Sequence, residues 1–383
     1  MYRHIDSSEP TFSLGLKLRL LNWGLVFLVT LISGIGAALL YSAAGGNLEP
    51  WAIRQMTRFG IGFVLMLMLA MVDIRVFLRY AYILHAIAIV LLLVVEVKGK
   101  IGMGAQRWID LGFFQLQPSE LAKITLVLAL ARYFHGLTYE QVGRPLVLLP
   151  PLAMIFIPVG LVLLQPNLGT ATILTLVGGS LMMMAGVRLW KFLIIIVGGV
   201  SALPVLWEFM HDYQKQRVYT FLDPERDPLG AGYNIMQSKI AFGSGGLIGQ
   251  GFMNGSQSQL RFLPEKETDF IFTLLGEEFG LIGTLFVLGL FLLVLIYGFA
   301  IALSARMQFA RLVAGGITIN IFFYIFINVA MVTGIIPVVG IPMPLVSYGG
   351  TAMLTTMIAT GILLSVSIHR EVKVPRVFSS DSL

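Results

Sequence analysis

A chain of 383 residues that is 57% hydrophobic and only 12% charged cannot clothe a soluble globule of that size in polar surface, so it is an integral membrane protein. Its formal charge of +6 admits a nucleic-acid partner, but Lys and Arg gather in alternate connections between apolar runs, which is the signature of membrane topology, and no nucleic acid is expected. Cysteine is absent, which excludes disulfides and thiolate metal sites.

The apolar runs are continuous rather than alternating and near 20 residues long, the helix length that crosses a hydrocarbon core of about 30 Å. They predict an all-α, polytopic membrane protein with about ten transmembrane helices, over 21–41, 54–72, 77–97, 119–135, 145–164, 168–186, 189–208, 269–304, 309–333 and 348–369. Met1 to Arg19 is polar and leads into the first span without a small-residue cleavage pattern, so that span is expected to stay. Ten spans put both termini on one side. The segments of that side hold 14 basic residues against five in the short loops opposite, which places the termini in the cytoplasm of a cytoplasmic (inner) membrane. Residues 1–383 then form a single membrane domain, with 209–268 as an extracytoplasmic loop or lid between the seventh and eighth spans.

The fourth span opens with Gln117-Pro118-Ser119-Glu120, where a proline in the first helical turn costs no hydrogen bond. Glu120 and Lys123 are three apart there, close enough to pair. Such a pair either neutralises itself so that the helix can sit in the bilayer, or marks a polar site in which Lys123 reaches a substrate phosphate. Gln165-Pro166-Asn167-Leu168-Gly169-Thr170 reads as a tight turn between spans. Within the lid, Asp223-Pro224 and Asp227-Pro228-Leu229-Gly230 read as turns, Tyr233 to Phe242 as a short amphipathic helix, and Gly243 to Gly255 as a flexible glycine-rich connection.

The lid ends in Phe262-Leu263-Pro264-Glu265-Lys266-Glu267-Thr268-Asp269-Phe270, which crowds charge at the mouth of the eighth span. Asp269 either caps that helix or, beside an external lid, takes a proton from an acceptor hydroxyl or holds a hard cation such as Mg²⁺. The eighth run is too long for a simple crossing, so it tilts or projects its first turns, with Asp269, above the membrane. Thr273, Gly276 and Gly280 follow at helical spacing, as close packing or as a groove for a lipid chain. Glu277 and Glu278 lie deeper, where at least one has to be partnered or protonated. Ile335 to Gly350 is apolar yet broken by three prolines and three glycines, which predicts a re-entrant loop covered by protein. Ser347 in it either lines an anionic site or caps the last helix. Arg217 and Lys239 in the lid, with Arg107 before the fourth span, offer a basic rim for a diphosphate. The five histidines are scattered without metal-ligand spacing.

Taken together, Gln117 to Glu120, Gln165 to Thr170, Phe262 to Phe270 and Gly334 to Gly350 resemble, in this order, the SEDS family of cell-wall polymerases, and within it the elongation type. The resemblance spans nearly the whole chain. It implies a peptidoglycan glycosyltransferase that polymerises lipid II into β-1,4-linked glycan at the outer face of the membrane, releasing undecaprenyl diphosphate. Asp269 matches the family's essential carboxylate, as base or as ligand of Mg²⁺ or Mn²⁺. Glu120, Lys123, Arg217, Lys239, Glu265 and Ser347 are then the candidates for substrate binding. A class B penicillin-binding protein, a transpeptidase, is the implied partner. The rival reading is a lipid II flippase, which needs a polar path through the bundle rather than a one-sided site.

Overall fold

The computed structural model describes residues 13–372 apart from 103–104, 111, 113–114, 210–211, 224–230, 261 and 264, so Arg261 and the expected turn at Asp227 to Gly230 lie outside the described residues. A short helix α1 (Leu14–Leu20) precedes α2 (Trp23–Ala43), α3 (Ala52–Met71) and α4 (Ile74–Lys98). Three strands follow, β1 (Lys100–Gly102), β2 (Ala105–Asp110) and β3 (Gln115–Leu116), paired antiparallel in that order. Next come α5 (Pro118–His135), α6 (Tyr139–Val142), α7 (Leu149–Leu164), α8 (Leu168–Met184) and α9 (Leu189–Phe209). The lid carries α10 (Asp212–Leu222), α11 (Ala231–Gly245) and α12 (Ser256–Gln259), and the chain closes with α13 (Ile271–Ser304), α14 (Gln308–Val332) and α15 (Gly350–Ile368).

Among the described residues seven helices are long and apolar enough to cross a membrane: α2, α3, α4, α7 with the turn before it, α13, α14 and α15. The helices fall within a few residues of the expected spans. α14 and α15 bury most of their apolar length inside the protein, whereas α3 and α4 keep theirs for lipid. α5 packs on α4, α8 and α14, and its Pro118 stands in the first turn as its missing N–H allows. At one end of the bundle Lys17 Nζ donates to Met71 O at 2.6 Å and Ser365 Oγ to Val72 O at 2.6 Å. Both described ends of the chain therefore meet on one face, and the lid covers the other.

Two expectations are corrected at α13. The long run, expected to tilt or to project its first turns, is instead interrupted: Gly280 has φ 63° and ψ −161°, a left-handed break that only glycine adopts without cost. The glycine-rich stretch after α11 is not a loose connection either, because its backbone supplies the bonds that the break removes. Leu281 N and Ile282 N donate to Gly246 O and Leu247 O at 3.0 and 3.1 Å, while Gln250 N and Gly251 N donate to Glu277 O and Glu278 O at 3.0 and 2.9 Å. The small residues of α13 accept the chain's own lid, with the Phe242 ring lying where a side chain on Gly276 would be, so close packing replaces the lipid groove.

Candidate active site

Asp269 lies in a closed turn, not at a helix cap. Glu265, at φ 56°, accepts through its carbonyl from Thr268 N and Phe270 N at 3.1 and 3.2 Å, and its carboxylate accepts from Thr268 Oγ1 at 2.7 Å. Phe270 is the N-cap of α13 and makes no side-chain cap bond, so the capping reading of Asp269 is set aside. The turn is held from α14. Asn328 Nδ2 donates to Asp269 O at 2.9 Å and to Ile341 O at 2.7 Å, and these two acceptors fix which way its amide points. Asn328 stands four residues before the end of α14, so Asp269 sits at the level of that helix's last turn rather than above it. Its carboxylate faces Gly340, where an added Cβ would come 3.3 Å from Oδ2, and the φ of 71° at Gly340 independently requires glycine.

The stretch between α14 and α15 has no regular structure, as its prolines predicted, and protein covers its second half, with Met343 and Val346 buried, while Ile335 and Gly340 are exposed. Gln55 Nε2 on α3 donates to Ser347 O at 2.8 Å, and Tyr348 N donates to Glu267 O at 2.8 Å. The loop thus joins α3 to the Asp269 turn. Ser347 neither caps α15 nor opens to a ligand: it is 3% exposed and its hydroxyl accepts from Met343 N at 2.7 Å, closing the loop on itself. Lys239 is exposed on α11, and a Cβ at Gly334 would lie 3.1 Å from its Nζ. Lys239 and Asp269 therefore stand along the same loop. Glu267, half buried in the turn, has its carboxyl pushed above the usual range by burial and by the charge of Glu265.

The remaining candidates separate. Glu120 and Lys123 do pair, at 2.6 Å, and Tyr324 of α14 bonds to both while Thr355 Oγ1 of α15 reaches Glu120 at 3.3 Å. Lys123 is 1% exposed and its amine is occupied by protein, so the pair neutralises itself at a junction of α5, α14 and α15 instead of presenting a free cation. Tyr324 is four residues from Asn328, which sets this junction about 6 Å of helix rise deeper than the Asp269 turn. Glu277 is fully partnered, accepting from Gln257 N at 2.6 Å and Ser258 N at 3.0 Å at the start of α12, and Glu278 accepts from Ser42 Oγ of α2. Lys266 turns inward to Ser258 O. Arg107 is not a solvated rim charge: it donates to Gln165 O at 3.2 Å and Pro166 O at 2.6 Å, tying β2 to the α7–α8 turn. Arg217 falls in α10, and its side chain lies outside the described residues.

Asn328, Tyr324 and Gln55 were missed in the sequence. A polar side chain inside an apolar helix is costly unless partnered, and Asn320, Tyr324 and Asn328 along α14 carried that signal.

With this geometry in hand, the comparisons with known proteins are consistent. The sequence profile of the FtsW, RodA and SpoVE family, described as cell cycle protein, matches residues 16–372. The peptidoglycan glycosyltransferase MrdB of Escherichia coli K12 is 46% identical over 341 residues, covering 88% of this chain and 90% of that one. A solved peptidoglycan synthase complex, described for its structural coordination of polymerization and crosslinking, contains a chain that superposes with a TM-score of 0.80 at 33% identity, covering 91% of this chain and 98% of that one. The rod shape determining protein RodA of Thermus thermophilus superposes with a TM-score of 0.70 at 30% identity, over 92% and 98% of the two chains. On the profile match and the extent of these likenesses, the chain belongs to the FtsW, RodA and SpoVE family of cell cycle proteins and is a multi-pass inner-membrane peptidoglycan glycosyltransferase of cell elongation.

Proposed function

We propose that the chain polymerises lipid II on the outer side of the inner membrane, with both termini in the cytoplasm and Asp269 as its catalytic carboxylate. The observation that carries this reading is the Asp269 turn. Its carbonyl is clamped by Asn328, its carboxylate faces Gly340, and the residue is partly exposed on the lid face of the bundle. A carboxylate on a backbone held in place, at a partly exposed rim, suits general-base catalysis. In the reaction the C4 hydroxyl of the acceptor GlcNAc attacks C1 of the donor MurNAc. The C1–O bond to undecaprenyl diphosphate breaks, and Asp269 takes the hydroxyl proton. One displacement at an α-linked C1 leaves a β-1,4 bond.

Among the described residues no three His, Asp or Glu side chains converge on a metal position. Asp269 is the residue that would hold Mg²⁺ or Mn²⁺, with the other ligands coming from outside the chain. When bound, such a cation shields the charge of the leaving diphosphate. Lys239 and Glu265, at the edge of the Asp269 turn or its loop, are the proposed contacts for a head group, and Arg217 is kept as a lid candidate. Glu120, Lys123 and Ser347 serve by holding α5, α14 and the loop in register. A class B penicillin-binding protein is the proposed partner, supported by the likeness to a chain of the synthase complex. The Glu120–Lys123–Tyr324 junction occupies the Lys123 amine with protein partners, which favours a polymerase over a flippase.

The test is incubation of purified protein with lipid II and Mg²⁺ or Mn²⁺, comparing wild type with Asp269→Ala and Asp269→Asn. Removing a general base lowers the rate roughly 10²–10⁴-fold, so glycan should vanish from both variants at an unchanged melting temperature. Glycan made by folded Asp269→Asn at the wild-type rate would refute the assignment.

A further inference from the structure

Arg58 lies on α3, one turn beyond Gln55, and its guanidinium carbon stands 4.7 Å over the Tyr348 ring. It also presses on the first residue of α15: a Cβ on Gly350 would come 3.0 Å from both its Cζ and its Nε. The residue is only partly exposed, and its Nη1 is sealed from water with no hydrogen-bond partner. Among the described residues no carboxylate lies within ion-pair distance of it.

This placement is electrostatically unfavourable as it stands. The start of a helix carries the positive end of its dipole, where cations are repelled and anions held. α15 begins there with Gly349 as its N-cap and no side-chain acceptor for its first N–H groups. A guanidinium with an unmet donor, held by an aromatic face against that end, is satisfied by an anion that both can reach, and the fork of arginine suits phosphate oxygens. The loop also ties this spot to the Asp269 turn. Tyr348, under Arg58, is bonded through its N–H to Glu267 O, two residues from Asp269.

We propose that Arg58 binds a phosphate of the lipid-linked diphosphate beside the start of α15, at the other end of the loop from Lys239. The inference rests on the polymerase reading for the identity of the lipid, but binding is measured without turnover. The probe is farnesyl diphosphate, titrated into the full-length protein in phosphatidylcholine nanodiscs, with wild type, Arg58→Gln, Arg58→Lys and Gly350→Ala compared at matched melting temperature.

Loss of charge-assisted hydrogen bonds should weaken binding roughly tenfold to a hundredfold in Arg58→Gln. Arg58→Lys should recover part of it, because the charge stays and the fork is lost. Gly350→Ala, which keeps the arginine but pushes the guanidinium off its seat, should also weaken binding, and it carries the test if Arg58→Gln does not fold. Unchanged affinity in both Arg58→Gln and Gly350→Ala would overturn the proposal. So would displacement of the probe by an equal concentration of phosphatidylglycerol, which would make this a phospholipid head-group site. A wild type that binds the probe through Arg58 yet makes no glycan would sink the polymerase reading and leave this one standing.

Discussion

Asn328 is the residue on which the geometry of the carboxylate turns, since one amide group holds the carbonyls of Asp269 and Ile341 together. Asn328→Ala leaves buried carbonyls without donors, at about 1–3 kcal/mol each. The expected outcome is a lower melting temperature and a larger loss in kcat than in KM for lipid II, because the base is displaced while the head-group contacts persist. Its neighbour Glu267 sets a pH dependence of its own. A folded-state pKa raised by burial means that the fold binds this proton more tightly than the unfolded chain, so the contribution is fully present below the ordinary value of 4.5 and is lost as pH rises through the raised one. Glu267→Gln cannot ionise and keeps the backbone bond from Tyr348 N. Melting curves from pH 4 to 7 should therefore show the variant gaining on wild type as pH rises, and parallel curves would contradict the assignment. At the deeper junction, removing one member of the Glu120–Lys123 pair strands a buried charge, at about 3–5 kcal/mol. Replacing both, Glu120→Gln with Lys123→Met, should cost less than the sum of the single changes in a thermal double-mutant cycle.

At the scale of elements, what was legible is what lipid imposes. Continuous apolar runs had to be helices, and the helices lie where those runs are. The proline-broken stretch after α14 likewise had to be irregular. The break in α13 was not legible, because a glycine in an apolar helix reads equally as a packing contact or as a kink, and the choice is made by a partner some thirty residues earlier in the chain. Glycine at 249 has φ 89°, and a Cβ there would collide with the backbone of Glu278. Gly249→Ala adds left-handed strain of roughly 1–2 kcal/mol to that collision and should free the stretch from Gly246 to Gln259. Limited proteolysis is the measurement: cleavage should appear in this stretch well before the bundle unfolds. Arg107 and the three-stranded sheet were hidden for a similar reason. The acceptors of Arg107 are carbonyls 58 and 59 residues away, and carbonyls have no residue-type signature.

The whole molecule gathers its candidate site on one face. The lid, the Asp269 turn, Lys239 and the start of α15 gather there, while both described chain ends, α6 and the basic ends of the helices gather on the other. A charged, partly buried turn is tolerated at such a partly exposed rim, whereas the buried Glu120–Lys123 pair beneath it has to be self-sufficient. The proposed orientation, with the lid face outside, rests on the positive-inside distribution, and the absence of cysteine makes that proposal directly measurable. Asn254→Cys on the lid and Glu140→Cys on α6 are both exposed positions on opposite faces. In intact cells a membrane-impermeant maleimide should label the first and not the second, and permeabilised cells should show both. The reverse pattern would put Asp269 on the side of the membrane where no glycan is assembled, and the proposed polymerase would then have to be given up together with its orientation.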